Sequence, residues 1–255
     1  MIPFWSQPAF HVGHFTLFAH GMLLLLGTAV TSFLFVFRAH TLSLRTKAAV
    51  RLVLLLIPIG FLGSHLMYCV FDDPGALFEL QGISSLGGIV AALLGLALYT
   101  IWDREHRWRW LDAAAYALIP GALIARLGCF LAHDRIGVPT SSWLSVNCFD
   151  GQRYDLALLE AIFLAAVLAI LIRAERQQWR PSDGMLFVVL AITYWLVRLV
   201  LGELIEVPQR YLGLSSEQLA AALLLAVGAC CWLIIKYLPP HAPIPRSPLN
   251  GVSRT

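Results

Sequence analysis

Charge is what this sequence has least of. Only 13% of its 255 residues are Asp, Glu, Lys or Arg, about half the share usual in soluble domains. Hydrophobic residues make up 59%, and the mean hydropathy is +0.75. So few charges exclude a cytosolic enzyme, a nucleic-acid-binding module and a disordered linker. Cysteine is also scarce, and five in the chain make no disulfide framework. No internal repeat and no second domain can be discerned. The net charge of +3 and the pI near 8.7 look basic. Yet the cations sit between long apolar runs, so they report membrane orientation rather than an affinity for nucleic acid.

Those apolar runs are what the sequence has in abundance. A helix needs roughly 20 mostly apolar residues to cross the hydrocarbon core. Seven runs approach that length: Phe15–Phe37, Leu52–Val70, Leu86–Ile101, Leu111–Leu131, Leu156–Ile172, Met185–Leu201 and Leu219–Ile235. All are expected to be helical, because an open sheet would leave backbone groups unpaired in lipid. No basic residue precedes the first run and no small-residue cleavage site follows it, so it reads as a span and not a signal peptide. The predicted architecture is all-α and polytopic, with seven transmembrane helices in one membrane domain over residues 1–237. Residues 238–255, with Pro at 239, 240, 243, 245 and 248, form a tail not expected to fold alone.

Arg and Lys give the bundle a direction. Arg38, Arg45, Lys47 and Arg51 follow the first run; Arg104, Arg107 and Arg109 the third; Arg173, Arg176 and Arg180 the fifth; Lys236, Arg246 and Arg254 the seventh. These are thirteen of the 18 basic residues. The other side has only Arg135, Arg153 and Arg210. The positive-inside rule then places the N-terminus outside and the C-terminus in the cytoplasm. Cys69, Cys129 and Cys148 fall on the outer side, where an oxidising compartment permits a bridge. Cys230 and Cys231 read as apolar filler.

The two remaining cations, Arg126 and Arg198, lie inside the fourth and sixth runs, near their outer ends. A charge inside a span is costly and marks a functional candidate; the alternative is an Arg that snorkels or pairs to fix helix packing. Two guanidiniums on different helices at one depth make a clamp for phosphate oxygens, which points to an anionic phospholipid bound at the outer face. The pair is read as unneutralised, since a mere packing protein has no use for two such charges. Glu160, early in the fifth run, can neutralise an Arg in the bundle. Asp134 and His133 follow the fourth run, Glu203 and Glu206 the sixth, and His20 and His65 lie within the first and second. Gly82-Ile-Ser-Ser85-Leu-Gly87-Gly88 opens the third, where small residues admit either a neighbouring helix or a lipid headgroup. Only His11-Val-Gly-His14 has a tight ligand spacing, so no metal and no cofactor are expected.

The order of these motifs, from about Phe15 to Gln218, resembles the prolipoprotein diacylglyceryl transferases of bacterial inner membranes. Gly121-Ala-Leu-Ile-Ala-Arg126-Leu-Gly-Cys129-Phe-Leu-Ala-His-Asp134-Arg-Ile-Gly137-Val-Pro139-Thr140 is similar to the family signature, which has an Arg-Ile-Gly-Asn core, a Glu five places after the Asn, and then Gly-Arg-Pro-Thr. Gly82 to Gly88 resembles its Gly-Met-Ser-Phe-His-Gly-Gly. Arg153-Tyr-Asp-Leu-Ala-Leu-Leu-Glu160-Ala resembles Arg-His-Pro-Ser-Gln-Leu-Tyr-Glu-Ala. Tyr194-Trp-Leu-Val-Arg198 resembles Tyr-x-x-x-Arg, and Ser215-Ser-Glu-Gln218 resembles Ser-x-Gly-Gln. His20-Gly21 falls where the family has Tyr-Gly.

The resemblance implies transfer of the diacylglyceryl group of phosphatidylglycerol, or a related anionic phospholipid, to the lipobox cysteine thiol of a prolipoprotein at the periplasmic face of the inner membrane. Arg126 and Arg198 match the family's essential arginines. Catalytic candidates are Arg126, Arg198, Asp134, His20 and His65; substrate-binding candidates are Ser84, Ser85, Gly87, Gly88, Cys129, Glu160, Tyr194 and Glu203. The departures fall on proton handling. The family's His is Leu86, its Asn is Cys129, its Glu is Asp134, its span-one Tyr is His20, and the Arg expected in span two is His65. The Glu four residues after the second Arg is Gly202, with Glu203 adjacent. A changed acceptor (another thiol, an amine or a hydroxyl) and an inactive lipid- or lipoprotein-binding homologue remain alternatives. A transporter is disfavoured by the absence of inverted repeats and interrupted mid-membrane helices.

Overall fold

The computed structural model describes residues 2–5, 7–12, 15–71, 73–78, 82, 84–179, 181–206 and 213–237. The Pro-rich tail and Arg210 lie outside these residues. The chain begins with strand β1 (Ile2–Pro3) and an antiparallel hairpin, β2 (Ala9–Val12) with β3 (Phe15–Phe18). Among the described residues, seven α-helices follow the seven apolar runs. They are α1 (Ala19–Thr41), α2 (Thr46–Phe71), α3 (Ser85–Trp102), α4 (Arg107–Ala132), α5 (Leu156–Arg176), α6 (Met185–Leu201) and α7 (Ser216–Tyr237). Of these, α1, α2, α4, α5 and α6 are long and apolar enough to cross a membrane; α3 and α7 contribute the shorter apolar helices Gly87–Trp102 and Gln218–Cys230. The helical, polytopic expectation therefore holds in its coarse form.

The all-α expectation misses the β structure. Phe15–Phe18, taken as the start of the first span, is strand β3, and α1 begins at Ala19. Hydropathy cannot separate an apolar strand from an apolar helix over so few residues. Between α4 and α5 lie β4 (Ile136–Pro139), β5 (Val146–Cys148) and β6 (Gly151–Asp155). They form a sheet of order β1-β5-β6-β4, with β1 parallel to β5 and the other pairs antiparallel. The extreme N-terminus is thus tied to the α4–α5 connection.

Helix α4 is the axis of the molecule, with thirteen buried residues spread between Arg109 and Cys129. Its small residues explain this position, because without a hydrophobic drive inside lipid, helices associate through close packing. A Cβ at Gly27 of α1 would come within 2.6 Å of the Gly121 carbonyl oxygen, and one at Gly121 would overlap Thr31 Oγ1. The outward faces are apolar: Leu25, Phe33, Leu54, Leu98, Ile170 and Leu223 are 64–73% exposed. In water such a surface would be costly; in a bilayer it meets its solvent. Gly121→Leu is expected to lower the melting temperature in detergent by an amount equivalent to about 1–3 kcal/mol of overpacking. Gly21→Ala, which meets open space, is expected to leave it unchanged.

At the end opposite the C-termini of α4 and α6, acidic residues tie the basic loops together. Arg45, Trp110 and His106 all contact Asp103, at 3.2, 3.0 and 3.1 Å. Arg38 donates to Glu175 at 3.0 Å, and Arg109 to Asp183 at 2.7 Å. Burial opposes the Asp103 carboxylate, but the contacts from Trp110, His106 and Arg45 outweigh it and hold the group below its ordinary value. A carboxyl so depressed stabilises the fold fully above its unfolded value near about 4, and loses that contribution as pH falls through the folded value. Melting temperature followed from pH 6 to pH 3 is expected to fall in the acid range. Asp103→Asn is expected to melt lower at pH 6 and to show a shallower acid decline.

Candidate active site

Helix polarity brings opposite charges to one end of the bundle. Arg126 lies in the last two turns of α4 and Arg198 in the last turn of α6, where the partial negative charge of a helix C-terminus favours cations. Glu160 lies at the start of α5, where the partial positive end favours an anion. Asp155 starts that helix as its N-cap, with Oδ1 accepting from the Leu158 backbone N–H at 3.1 Å.

The charges meet on Glu160. Arg126 Nε lies 2.6 Å from Glu160 Oε2. Arg198 Nη1 donates to Oε1, and Arg135 Nη1, from the loop after α4, reaches the same oxygen at 3.1 Å. Arg126 and Arg198 are each 5% exposed and Glu160 is 1% exposed. This corrects the expectation of two unneutralised arginines, because both share a carboxylate. It also adds Arg135, which orientation counting left among the outer-loop charges. The Tyr194 hydroxyl is a further partner of Arg126.

A second cluster borders the first. Arg126 Nη1 lies 3.7 Å from the Cys129 sulfur, one turn along α4. Gly128 lets the first turn of α1 approach, since a Cβ there would stand 3.2 Å from the His20 carbonyl oxygen. The result is that ligand atoms of His20, Cys129 and Asp134 all lie within 4.8 Å of one another. His20 Nδ1 is buried without a hydrogen-bond partner among the described residues.

Below the loop, His133 Nδ1 lies 2.8 Å from Asp155 Oδ2, with both side chains almost fully buried. His133 ends α4 in the left-handed conformation at φ 48°. Its ring stacks on Phe4 at 4.8 Å and meets Trp5 at 4.5 Å and Phe130 at 5.6 Å. Trp5 Nε1 donates to the Leu131 carbonyl at 3.2 Å. Burial pushes the Asp155 carboxyl up, and the His133 contact offsets part of that. The pair fastens the N-terminal segment beside the site. Sequence reasoning passed over Asp155, although an Asp immediately before an apolar run is an N-cap signal.

This arrangement can now be set beside known proteins. A family model described as prolipoprotein diacylglyceryl transferase matches residues 7–234. The chain belongs to the prolipoprotein diacylglyceryl transferase family. A phosphatidylglycerol–prolipoprotein diacylglyceryl transferase of Dehalococcoides mccartyi is 25% identical over 234 residues, covering 86% of this chain and 89% of the relative. The protein of that name from Helicobacter pylori is 30% identical over 163 residues, covering 62% of this chain and 57% of the relative.

The other motif residues of this diacylglyceryl transferase family member go to varied places. Gly87 and Gly88 face α2, where a Cβ at Gly87 would overlap Met67 and the Gly63 carbonyl, and one at Gly88 would sit 3.2 Å from the Gly60 carbonyl. Of the two readings open for that pair, close helix packing is the one the structure displays. Ser84 caps α3, accepting from Gly87 N–H at 3.5 Å, and its carbonyl accepts from Ser64 Oγ at 2.7 Å. The side chains of Ser85 and Leu86 lie outside the described residues. His65 does not join the arginines; its ring nitrogens face the carbonyls of Gly82 at 3.3 Å and Leu77 at 3.4 Å. Glu203 accepts from Gln218 Nε2 at 2.7 Å. Gln218 and Ser215 form a reciprocal cap on α7, at 2.9 and 3.2 Å. Of the histidine pair His11 and His14, His14 is outside the described residues and His11 contacts Thr16 Oγ1 at 3.1 Å. Among the described residues, Cys69, Cys129, Cys148 and Cys230 are free thiols.

Removing the shared anion is expected to be severe. Glu160→Gln should cost about 3–5 kcal/mol, the usual penalty for breaking a buried ion pair from one side, read as a large drop in melting temperature. Glu203→Gln, on an exposed residue, is expected to change it little.

Proposed function

We propose that this protein moves the diacylglyceryl group of phosphatidylglycerol to the lipobox cysteine thiol of a prolipoprotein. The observation that carries the reading is the convergence of Arg126, Arg198 and Arg135 on one buried carboxylate, in a chain of this family. Guanidiniums present planar forks that match phosphate oxygens. Held by Glu160, with Tyr194 also on Arg126, they are preorganised to orient the lipid phosphate and to stabilise the charge that develops as it leaves. The acceptor supplies the nucleophile. Its thiolate pair forms the new C–S bond while the glycerol C–O bond to phosphate breaks, and glycerol phosphate departs with that electron pair. The thiol proton is lost beside His20 and Asp134, whose polar atoms gather around the Cys129 sulfur next to Arg126.

The same reading covers the membrane arrangement. Seven spans place the N-terminus and the arginine cluster at the periplasmic face of a bacterial inner membrane, and the basic loops and residues 238–255 in the cytoplasm. Residues 1–237 act as one membrane domain. Support comes from the seven apolar helices and from the thirteen basic residues on one side. A second reading keeps the lipid donor and changes the acceptor. It draws on Leu86 standing where the family has its His.

The test is transfer by purified protein from labelled phosphatidylglycerol to a lipobox peptide. Wild type is expected to label the peptide. Arg126→Ala and Arg198→Ala are each expected to reduce transfer at least about 100-fold while still inserting, in line with the loss of one preorganised charge donor. Lys at either position should rescue poorly, because an ammonium cannot reproduce the fork. Full activity in the Lys variants would contradict the clamp. Glycerol phosphate released only with cell extract would favour the changed acceptor, and neither product would exclude the transferase.

A further inference from the structure

We infer that His20, Cys129 and Asp134 form a binding site for one zinc-type divalent cation at the edge of the arginine cluster. His20 on α1 and the neighbouring pair Cys129 and Asp134 at the end of α4 bring an imidazole nitrogen, a thiol sulfur and a carboxylate oxygen within 4.8 Å of one another. That mixed donor set suits zinc, which accepts nitrogen, sulfur and oxygen together, and not calcium or magnesium, which take oxygen ligands. With metal–ligand distances of about 2.0–2.3 Å, tetrahedral ligands stand roughly 3.5 Å apart. The cluster therefore closes on an ion through small side-chain adjustments, without moving a helix.

The surroundings fit a three-ligand site with one open position. His20 Nδ1 is buried without a hydrogen-bond partner among the described residues, a cost that coordination through this nitrogen would remove. The Cys129 sulfur borders the Asp134 carboxylate and the Arg126 guanidinium. Arg126, held by Glu160, donates towards that sulfur as an outer support for a ligand thiolate. Glu160, Asp134 and a Cys129 thiolate supply three negative charges against the three guanidiniums, so the ion's charge is available to a phosphate. Asp134 is exposed and lines a depression of about 240 Å³ with Arg135, Ile136, Leu156 and Ile205, so one of the three ligands is reached from outside the bundle. These three residues are also the positions where the family pattern has Tyr, Asn and Glu, so three separate departures meet at one point.

On the transferase reading, which this role presupposes, the open position takes the acceptor thiol in place of water. A metal-bound thiol is deprotonated, its proton leaving to solvent, and the thiolate pair then forms the C–S bond.

The test uses full-length protein in detergent, stripped with EDTA and titrated with Co²⁺ and then Zn²⁺. The expected result is one Co²⁺ per chain with a thiolate-to-metal charge-transfer band, lost on displacement by Zn²⁺. Cys129→Ser should abolish the band and weaken Zn²⁺ binding more than about 100-fold, since even outer-shell changes cost 10- to 100-fold. Cys129→Asn, the family's own residue, should insert and melt normally yet lack the band, and Cys148→Ser should keep it. A missing band in wild type, or a band that survives Cys129→Ser, overturns the site. Because binding is read without lipid or peptide, a failed transfer assay leaves this result standing. Conversely, full-rate transfer by the metal-free protein overturns the thiol-activating role.

Discussion

The carboxylate of Glu160 is the point on which the polar end of this molecule depends. A guanidinium inside a membrane helix is costly without a partner, and here two of them, joined by Arg135, converge on one anion. Each comes from a different element: α4, α6 and the loop after α4. Glu160 itself projects from α5, whose start is fixed by the Asp155 cap. Any change in the crossing of α4, α5 and α6 would separate charges that cannot be left apart in a low dielectric. The glycine contacts that let α1 lie close to α4 serve the same end, because they also deliver His20 to Cys129.

The N-terminal segment is part of this construction. Through β1 it joins the sheet between α4 and α5, and through Phe4 and Trp5 it covers the His133–Asp155 pair. Asp155 thereby couples the N-terminal cover to the helix that holds Glu160. On the proposed reading, lipid phosphate and acceptor meet on a rigid scaffold, which is where positioning does most for a transfer whose nucleophile comes from outside.

How much of this was legible beforehand depends on which residues are asked. The seven helices followed from apolar run length, and Arg126 and Arg198 stood out because a charge inside a span is costly, with pairing to a carboxylate as the open alternative that Glu160 realises. Their family resemblance, read from motif order, agrees with the family to which the chain belongs. The small sheet was not legible, since strands of two to five residues leave no periodic signal in an apolar chain. Nor was the sharing of Glu160 by three arginines, because pairing across helices depends on rotation and depth that composition does not encode. Gly87 and Gly88 had two readings on paper, and only the position of Met67 and Gly63 distinguishes them. The His20–Cys129–Asp134 cluster was hidden by sequence distance: a search for tight ligand spacing finds His11 and His14 and misses His20, more than a hundred positions before Cys129 and Asp134.

The central claim is that the arginine cluster recognises an anionic lipid phosphate. Native mass spectrometry of the detergent-purified protein, offered equal amounts of phosphatidylglycerol and phosphatidylcholine with matched chains, tests it most directly. The account predicts one retained phosphatidylglycerol per chain, lost in the Arg126→Ala, Arg198→Ala double variant. Equal retention of the two lipids, or retention unchanged in that variant, would contradict it.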